Sequence, residues 1–269
     1  MDWNRIKTIF IVAFFILDLF LLSQFIQKQD SSQLDYMTET NIEEQLKADK
    51  ITADNLPKEP TKDTYIMAKD KVFSDEDIRS LKNQTASLQD SNTISSKLKE
   101  PLKATIGDNY SEFLRSYVID GQKYNAAGKV EGSRVYFFQK YKDKPIYYNQ
   151  HGMIVAELNE KKEIISYTQT MLYDFKEMGE QNKELDIISA RNALETLYTK
   201  NELKQGSHVK GAKLGYATVV APSSSNVQVL VPTWNLYTDK MDYFVNAIEG
   251  QIIQLGKDNK ENEQWSEGK

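Results

Sequence analysis

The sequence predicts an α+β fold: an N-terminal transmembrane helix, then two similar domains, each an antiparallel sheet with a helix on it. Three observations carry this. Thr8–Ile26 reads as an apolar run interrupted chiefly by Asp18. From Ser133 onward, β-branched and aromatic runs of strand length recur between turn signals. The order helix-then-four-strands occurs twice, at 109–173 and 187–255, as a likeness of pattern rather than of residue identity.

The apolar run is long enough to cross a hydrocarbon core of roughly 30 Å. A cleaved signal peptide would need a small-x-small site, and Leu22–Gln27 offers none. The run therefore predicts an uncleaved signal anchor at 8–27. Arg5 and Lys7 precede it and only Lys28 follows closely, so residues 1–7 are expected in the cytoplasm and the rest outside a single-pass cell membrane. Asp18 lies inside the run, where a carboxylate costs on the order of 3 kcal/mol at the bilayer centre. That cost points to a partner helix. Phe14, Leu21, Leu22 and Phe25 recur at successive turns on the same face and complete the expected contact.

Composition narrows the function classes. Acids outnumber bases 39 to 34, which argues against nucleic acid. There is no cysteine, so no thiolate metal site and no cysteine nucleophile exists. A hydrophobic content of 40%, with 11% aromatics, supports a packed core beyond the anchor.

Residues 28–60 read as an extracellular stalk ending in Leu56-Pro57-Lys58-Glu59-Pro60. Leu34, Met37, Ile42 and Leu46 fit a weak helical face, and a solvated spacer fits equally well. The first ectodomain, 61–178, opens with a strand at Tyr65–Ala68. A helix capped by Ser74 follows, with a stripe of Ile78, Leu81, Thr85 and Leu88. A second helix near Asn109 buries Phe113, Leu114 and Tyr117. Runs at Val135–Tyr141, Ile146–Tyr148, Met153–Leu158 and Ile164–Tyr173 predict a meander. The second ectodomain, 179–256, opens on a linker and has its clearest element at Ile187–Leu203. There Ile187, Ile188, Ala190, Ala193, Leu194, Leu197 and Tyr198 share a face. Strands are expected at Lys210–Val220, Val227–Tyr237, Tyr243–Ala247 and Gln251–Leu255, and residues 257–269 form a polar tail.

Chemistry-bearing motifs are sparse. Ser96-Lys97-Leu98-Lys99 matches S-x-x-K but lacks its S-x-N and K-T-G companions. His151 and His208 have no acid or histidine near them in sequence at ligand spacing and read as exposed loop residues. Asp75-Glu76-Asp77 suits a helix N-terminus without a metal. The residues thus point to no catalytic group, cofactor or metal. Pro232 inside a β run suggests an edge strand or bulge, from which Trp234 could meet a partner; burial in the core is the favoured reading.

The opening Met1-Asp2-Trp3-Asn4-Arg5-Ile6-Lys7-Thr8-Ile9-Phe10, running into an apolar helix with an internal acid, resembles the YycI family. Arg134-Val135-Tyr136-Phe137, Ile154–Leu158 and Val231-Pro232-Thr233-Trp234 match it too, and Tyr243–Ile252 looks like the closing hairpin of PepSY-type modules. The resemblance spans nearly the whole chain. It implies a non-enzymatic regulator beside a WalK-type sensor histidine kinase and a YycH-like membrane protein, controlling cell-wall metabolism in a Gram-positive bacterium. It also implies two similar α+β ectodomains. The alternative is an extracytoplasmic PepSY-like binding module or protease-inhibitory protein.

Overall fold

The computed structural model describes residues 3, 7, 10, 11, 13–15, 17–22, 35–54, 56–103, 110–178, 184–218 and 226–255. Phe25, Leu34, Asn109, most of the 179–184 linker and the 257–269 tail lie outside them. The chain divides into two units, Met1–Thr52 with Lys204–Ser207, and Ala53–Leu203 with His208–Lys269.

In the first unit, the described residues between 3 and 22 are helical, and their large apolar side chains are exposed. Among the described residues, no helix is long and apolar enough to cross a membrane. The anchor expected at 8–27 includes residues outside that set. The segment that read equally as spacer or helix contains α1 (Asp35–Ala48). Its end is a Schellman turn: Lys50 takes φ 54°, its N–H returns to the Lys47 carbonyl (3.1 Å), and Ile51 N–H reaches the Leu46 carbonyl (2.8 Å). Leu46 and Ile51 are both buried. Gly206 N–H bonds the Asp49 carbonyl and Thr52 N–H bonds that of Ser207, which ties 204–207 to this helix end.

The first long strand of the second unit is β1 (Tyr65–Asp70), in which Ile66, Ala68 and Asp70 are buried in alternation. α2 (Asp75–Ser80) starts at a capping box: the Ser74 hydroxyl accepts from Asp77 N–H and the Asp77 carboxylate accepts from Ser74 N–H. The helix was expected to run on through Thr85 and Leu88, but it stops at Ser80. Residues 84–90 instead form β2 (Gln84–Asp90), paired with β3 (Thr93–Lys103). Ala86 and Leu88 pack on the core with period two, which a strand satisfies and a helix does not.

α3 (Ser111–Tyr117) buries Phe113 and Leu114. The chain then runs through β4 (Lys129–Glu131), β5 (Arg134–Phe138), β6 (Met153–Leu158) and β7 (Glu163–Gln169) as an antiparallel meander. β3 pairs with β7, so the first sheet has the order β2-β3-β7-β6-β5-β4. The expected strand Ile146–Tyr148 does not form: Tyr148 takes a left-handed φ and Ile146 makes an isolated bridge, while Lys142 and Asp143, also left-handed, turn a short hairpin that pairs 140–141 with 144–145. The run Ile164–Tyr173 is also divided. It breaks at Thr170–Met171, and β8 (Leu172–Met178) joins the second sheet.

α4 (Ala190–Thr199) is shorter than the expected Ile187–Leu203. Ser189 caps it by accepting from Asn192 N–H, and Asn201, at φ 58°, closes it with a second Schellman turn. β9 (His208–Thr218), β10 (Val227–Thr238), β11 (Asp242–Asn246) and β12 (Ile252–Ile253) follow as a meander. A helix followed by a four-stranded meander is thus present at 111–169 and at 190–253, but the first meander contains Lys129–Glu131 in place of the expected Ile146–Tyr148, and a short hairpin pairing 140–141 with 144–145 lies between β5 and β6.

β10 is interior, not an edge. One side pairs with β9; on the other, Val227–Leu230 pairs with β1 and Thr233–Tyr237 with β11, while β8 lies beyond β1. Pro232 falls between the two stretches, where no ladder bond is asked of its missing N–H, and its carbonyl accepts from Ala247 (2.8 Å).

One face of the first sheet (Ile94, Val135, Phe137, Ile154, Tyr167) packs with Phe113 and Leu114 of α3. Phe113 meets the rings of Phe137 and Tyr167 at 5.5 and 5.4 Å. Tyr136 and Phe138, on the opposite face, cluster with Tyr147 and with Phe244 of the second sheet. Both faces of the first sheet are therefore covered.

Candidate functional site

Four segments converge on a polar cavity of about 370 Å³. Asp70 ends β1, Asp90 and Asn92 lie in the β2–β3 turn, Gln150 and His151 precede β6, and Thr170 sits where the chain changes sheet. The local sequence builds each wall. Asp90 accepts from Asn92 N–H (2.7 Å) and from the Thr93 hydroxyl (3.0 Å), which fixes the hairpin turn. Asn149 accepts from His151 N–H (2.8 Å), and the Thr170 hydroxyl donates to the Gln150 carbonyl (2.8 Å). Gly152 lets the loop pass, since a Cβ there would meet Leu172 at 3.0 Å and Gln139 Oε1 at 3.2 Å.

The central contact joins His151 Nδ1 to Asp70 Oδ2 at 2.9 Å. Asp70 is 7% exposed, and its Oδ1 has no hydrogen-bond partner; neither has Gln228 Oε1. Burial pushes the Asp70 carboxyl above the usual aspartate range, with His151 and Gln228 pulling it part of the way back. Gln228 is near enough to exert that pull without hydrogen-bonding Oδ1. Among the described residues, no group of three or more His, Cys, Asp or Glu is placed to hold a metal.

Sequence reasoning missed this constellation because its members are far apart along the chain. The reading of His151 and His208 as exposed loop residues is corrected: both are half-buried, His208 opens β9, and each meets an aspartate from a distant segment, His208 Nε2 lying 3.4 Å from Asp54 Oδ2. Trp234 offers no partner surface. It is 1% exposed, and its indole N–H donates to the Ile188 carbonyl (2.8 Å), as the core reading expected. The S-x-x-K match lies on β3. Ser96 faces inward, donating to Gln84 Oε1 (2.7 Å), while Lys99 is exposed; residues three apart on a strand point to opposite faces. Asp18, Phe14, Leu21 and Leu22 are helical and exposed, as are the other described residues of this segment.

The YycI protein family profile matches residues 29–248. The chain belongs to the YycI family. No curated protein sequence matches this YycI-family chain. Among solved structures, it is similar to an uncharacterized protein from Eubacterium rectale, with a TM-score of 0.43 and 11% identity over 77% of this chain and 92% of that one. It is also similar to the C-terminal domain of Bacillus megaterium YpeB, with a TM-score of 0.35 and 11% identity over 71% of this chain and 90% of that one.

Proposed function

We propose that this chain is a non-enzymatic, membrane-anchored regulator of a WalK-type sensor histidine kinase, acting together with a YycH-like membrane protein. YycI membership across residues 29–248 is the observation that carries the reading. The N-terminal helix supports the anchoring. Phe10, Ile11, Phe14, Phe15, Leu19 and Phe20 are all exposed, so its apolar surface runs around the circumference, as suits a helix surrounded by lipid or other helices. Arg5 and Lys7 put its start in the cytoplasm and the folded bulk outside.

Asp18 then sits within the bilayer, where its carboxyl can bond a polar group on a neighbouring helix, a contact worth about 1 kcal/mol. Co-purification of the kinase and of the YycH-like protein from detergent-solubilised membranes tests this. Asp18→Leu should weaken recovery of at least one of them while leaving insertion and folding intact. Asp18→Asn, which keeps hydrogen-bonding capacity, should be milder. Unchanged recovery and unchanged kinase output in Asp18→Leu would move the contact away from this helix face.

A further inference from the structure

We propose that the cavity between Asp70 and the Asp90–Thr93 turn binds a small organic cation, an ammonium or guanidinium group on a molecule or side chain of amino-acid size. The cavity has the volume of a small-ligand site, for which about 300 Å³ is the lower end. Among the described residues, two carboxylates line it and no lysine or arginine does. The lysines flanking Asp70 along the chain are engaged elsewhere: Lys69 Nζ lies 2.8 Å from Asp174, and Lys71 Nζ lies 4.0 Å from Asp77 and over the ring of Phe73.

The unmet demand at this corner is for hydrogen-bond donors. Asp70 is more than nine-tenths buried, and its Oδ1 is unpartnered, as is Gln228 Oε1; buried acceptors left this way are costly. His151 Nδ1, the donor on Oδ2, comes from a side chain 42% exposed, and the Gln228 amide lies near the carboxylate without reaching Oδ1. A cation carrying several N–H groups can take the place of His151 on Oδ2, reach toward Oδ1 and face the Asp90 carboxylate across the cavity. Charge-assisted bonds to a desolvated carboxylate are the strong kind, and a planar guanidinium matches both oxygens of one carboxylate at once.

The chain has two histidines, which makes the test selective. Full-length protein in detergent micelles, labelled with 15N-histidine, is titrated with argininamide while the imidazole signals are followed. The His151 signals should shift saturably, with a dissociation constant of about 1 mM or tighter, while those of His208 stay in place. Nα-acetylargininamide, whose one charge is its guanidinium, should shift His151 as well, whereas Nα-acetylcitrullinamide, its neutral isostere, should give no saturable shift, and this arm needs no variant. Asp70→Asn, shown to be folded by its melting curve, should weaken binding about tenfold or more. A glycine-flanked single-arginine peptide that binds more tightly than argininamide identifies a protein-borne side chain as the natural source. Equal affinity identifies a free small molecule. Binding of Nα-acetylcitrullinamide as tight as that of Nα-acetylargininamide, equal movement of both histidines, or saturation by calcium chloride but not by argininamide would each overturn the proposal.

Discussion

Gln84, Gln139 and Gln169 are nearly inaccessible to solvent, and each completes a distant piece of backbone. The Gln139 amide donates to the Leu172 carbonyl (2.8 Å) and accepts from Leu172 N–H (2.7 Å), substituting for a β-bridge at the start of β8. Gln169 does the same for Ile119, and Gln84 reaches the Tyr117 carbonyl. Gln139→Leu should therefore leave two buried backbone groups unpaired and cost about 2–4 kcal/mol in urea unfolding. Asp70 gives a prediction with a definite sign. Its folded pKa is raised by burial, so between the ordinary aspartate value and the folded one the native state holds the proton more tightly than the unfolded chain does. Stability contributed by this group is present at lower pH and lost as pH rises through that window. Denaturant melts at stepped pH should show wild type losing ground to Asp70→Asn across it; parallel curves would show that Asp70 titrates normally. None of these residues was legible in the sequence. A glutamine that mimics backbone looks like any surface glutamine until its partner, 33 or 50 residues away, is known.

At the scale of elements, the sequence was most informative where the signal is local. The Ser74 cap lies next to the helix it starts, and the alternation of β1 and β6 lies within each strand. The errors arose where a neighbour overrode a continuous pattern. Residues 74–88 fit one helical stripe, yet the second half pairs with β3. Residues 164–173 fit one strand, yet the chain changes sheets inside it. The turn after α3 shows a constraint that no periodicity reveals. A Cβ on Gly121 would lie 1.8 Å from the Leu114 carbonyl oxygen, so the 3₁₀ turn at Gly121–Lys123 approaches α3 as only glycine allows. Gly121→Ala should lower stability by about 3 kcal/mol in chemical denaturation. A near-neutral effect would mean that α3 shifts at little cost.

The whole molecule follows from β10. It pairs with β9, β11 and β1, so strands from both ends of the chain share one sheet. Most of the double meander was legible because each copy is consecutive in sequence, although β4 was missed and no strand forms at 146–148. The insertion of β1 and β8 beside the second copy was not, since it rests on pairings of about 110–160 residues' separation. A fragment beginning at Ala53 and running to the C-terminus should be soluble and show a single cooperative transition by circular dichroism, with tyrosine and tryptophan fluorescence following the same curve. Two separated transitions would show that the halves around the two meanders unfold independently.

Met67 on β1 is paired with Val229 on one side and, across the bulge, with Lys176 on the other. A ribosome adding roughly 5–20 residues per second needs about 8–30 s to make the 162 residues between Met67 and Val229. Throughout that interval β1 has at most one of its two edges filled, and for most of it neither. Long-range closure of this kind makes folding slow, so a strand synthesised early is among the last to be completed. Whatever accompanies the nascent chain during its emergence has this open strand to shield.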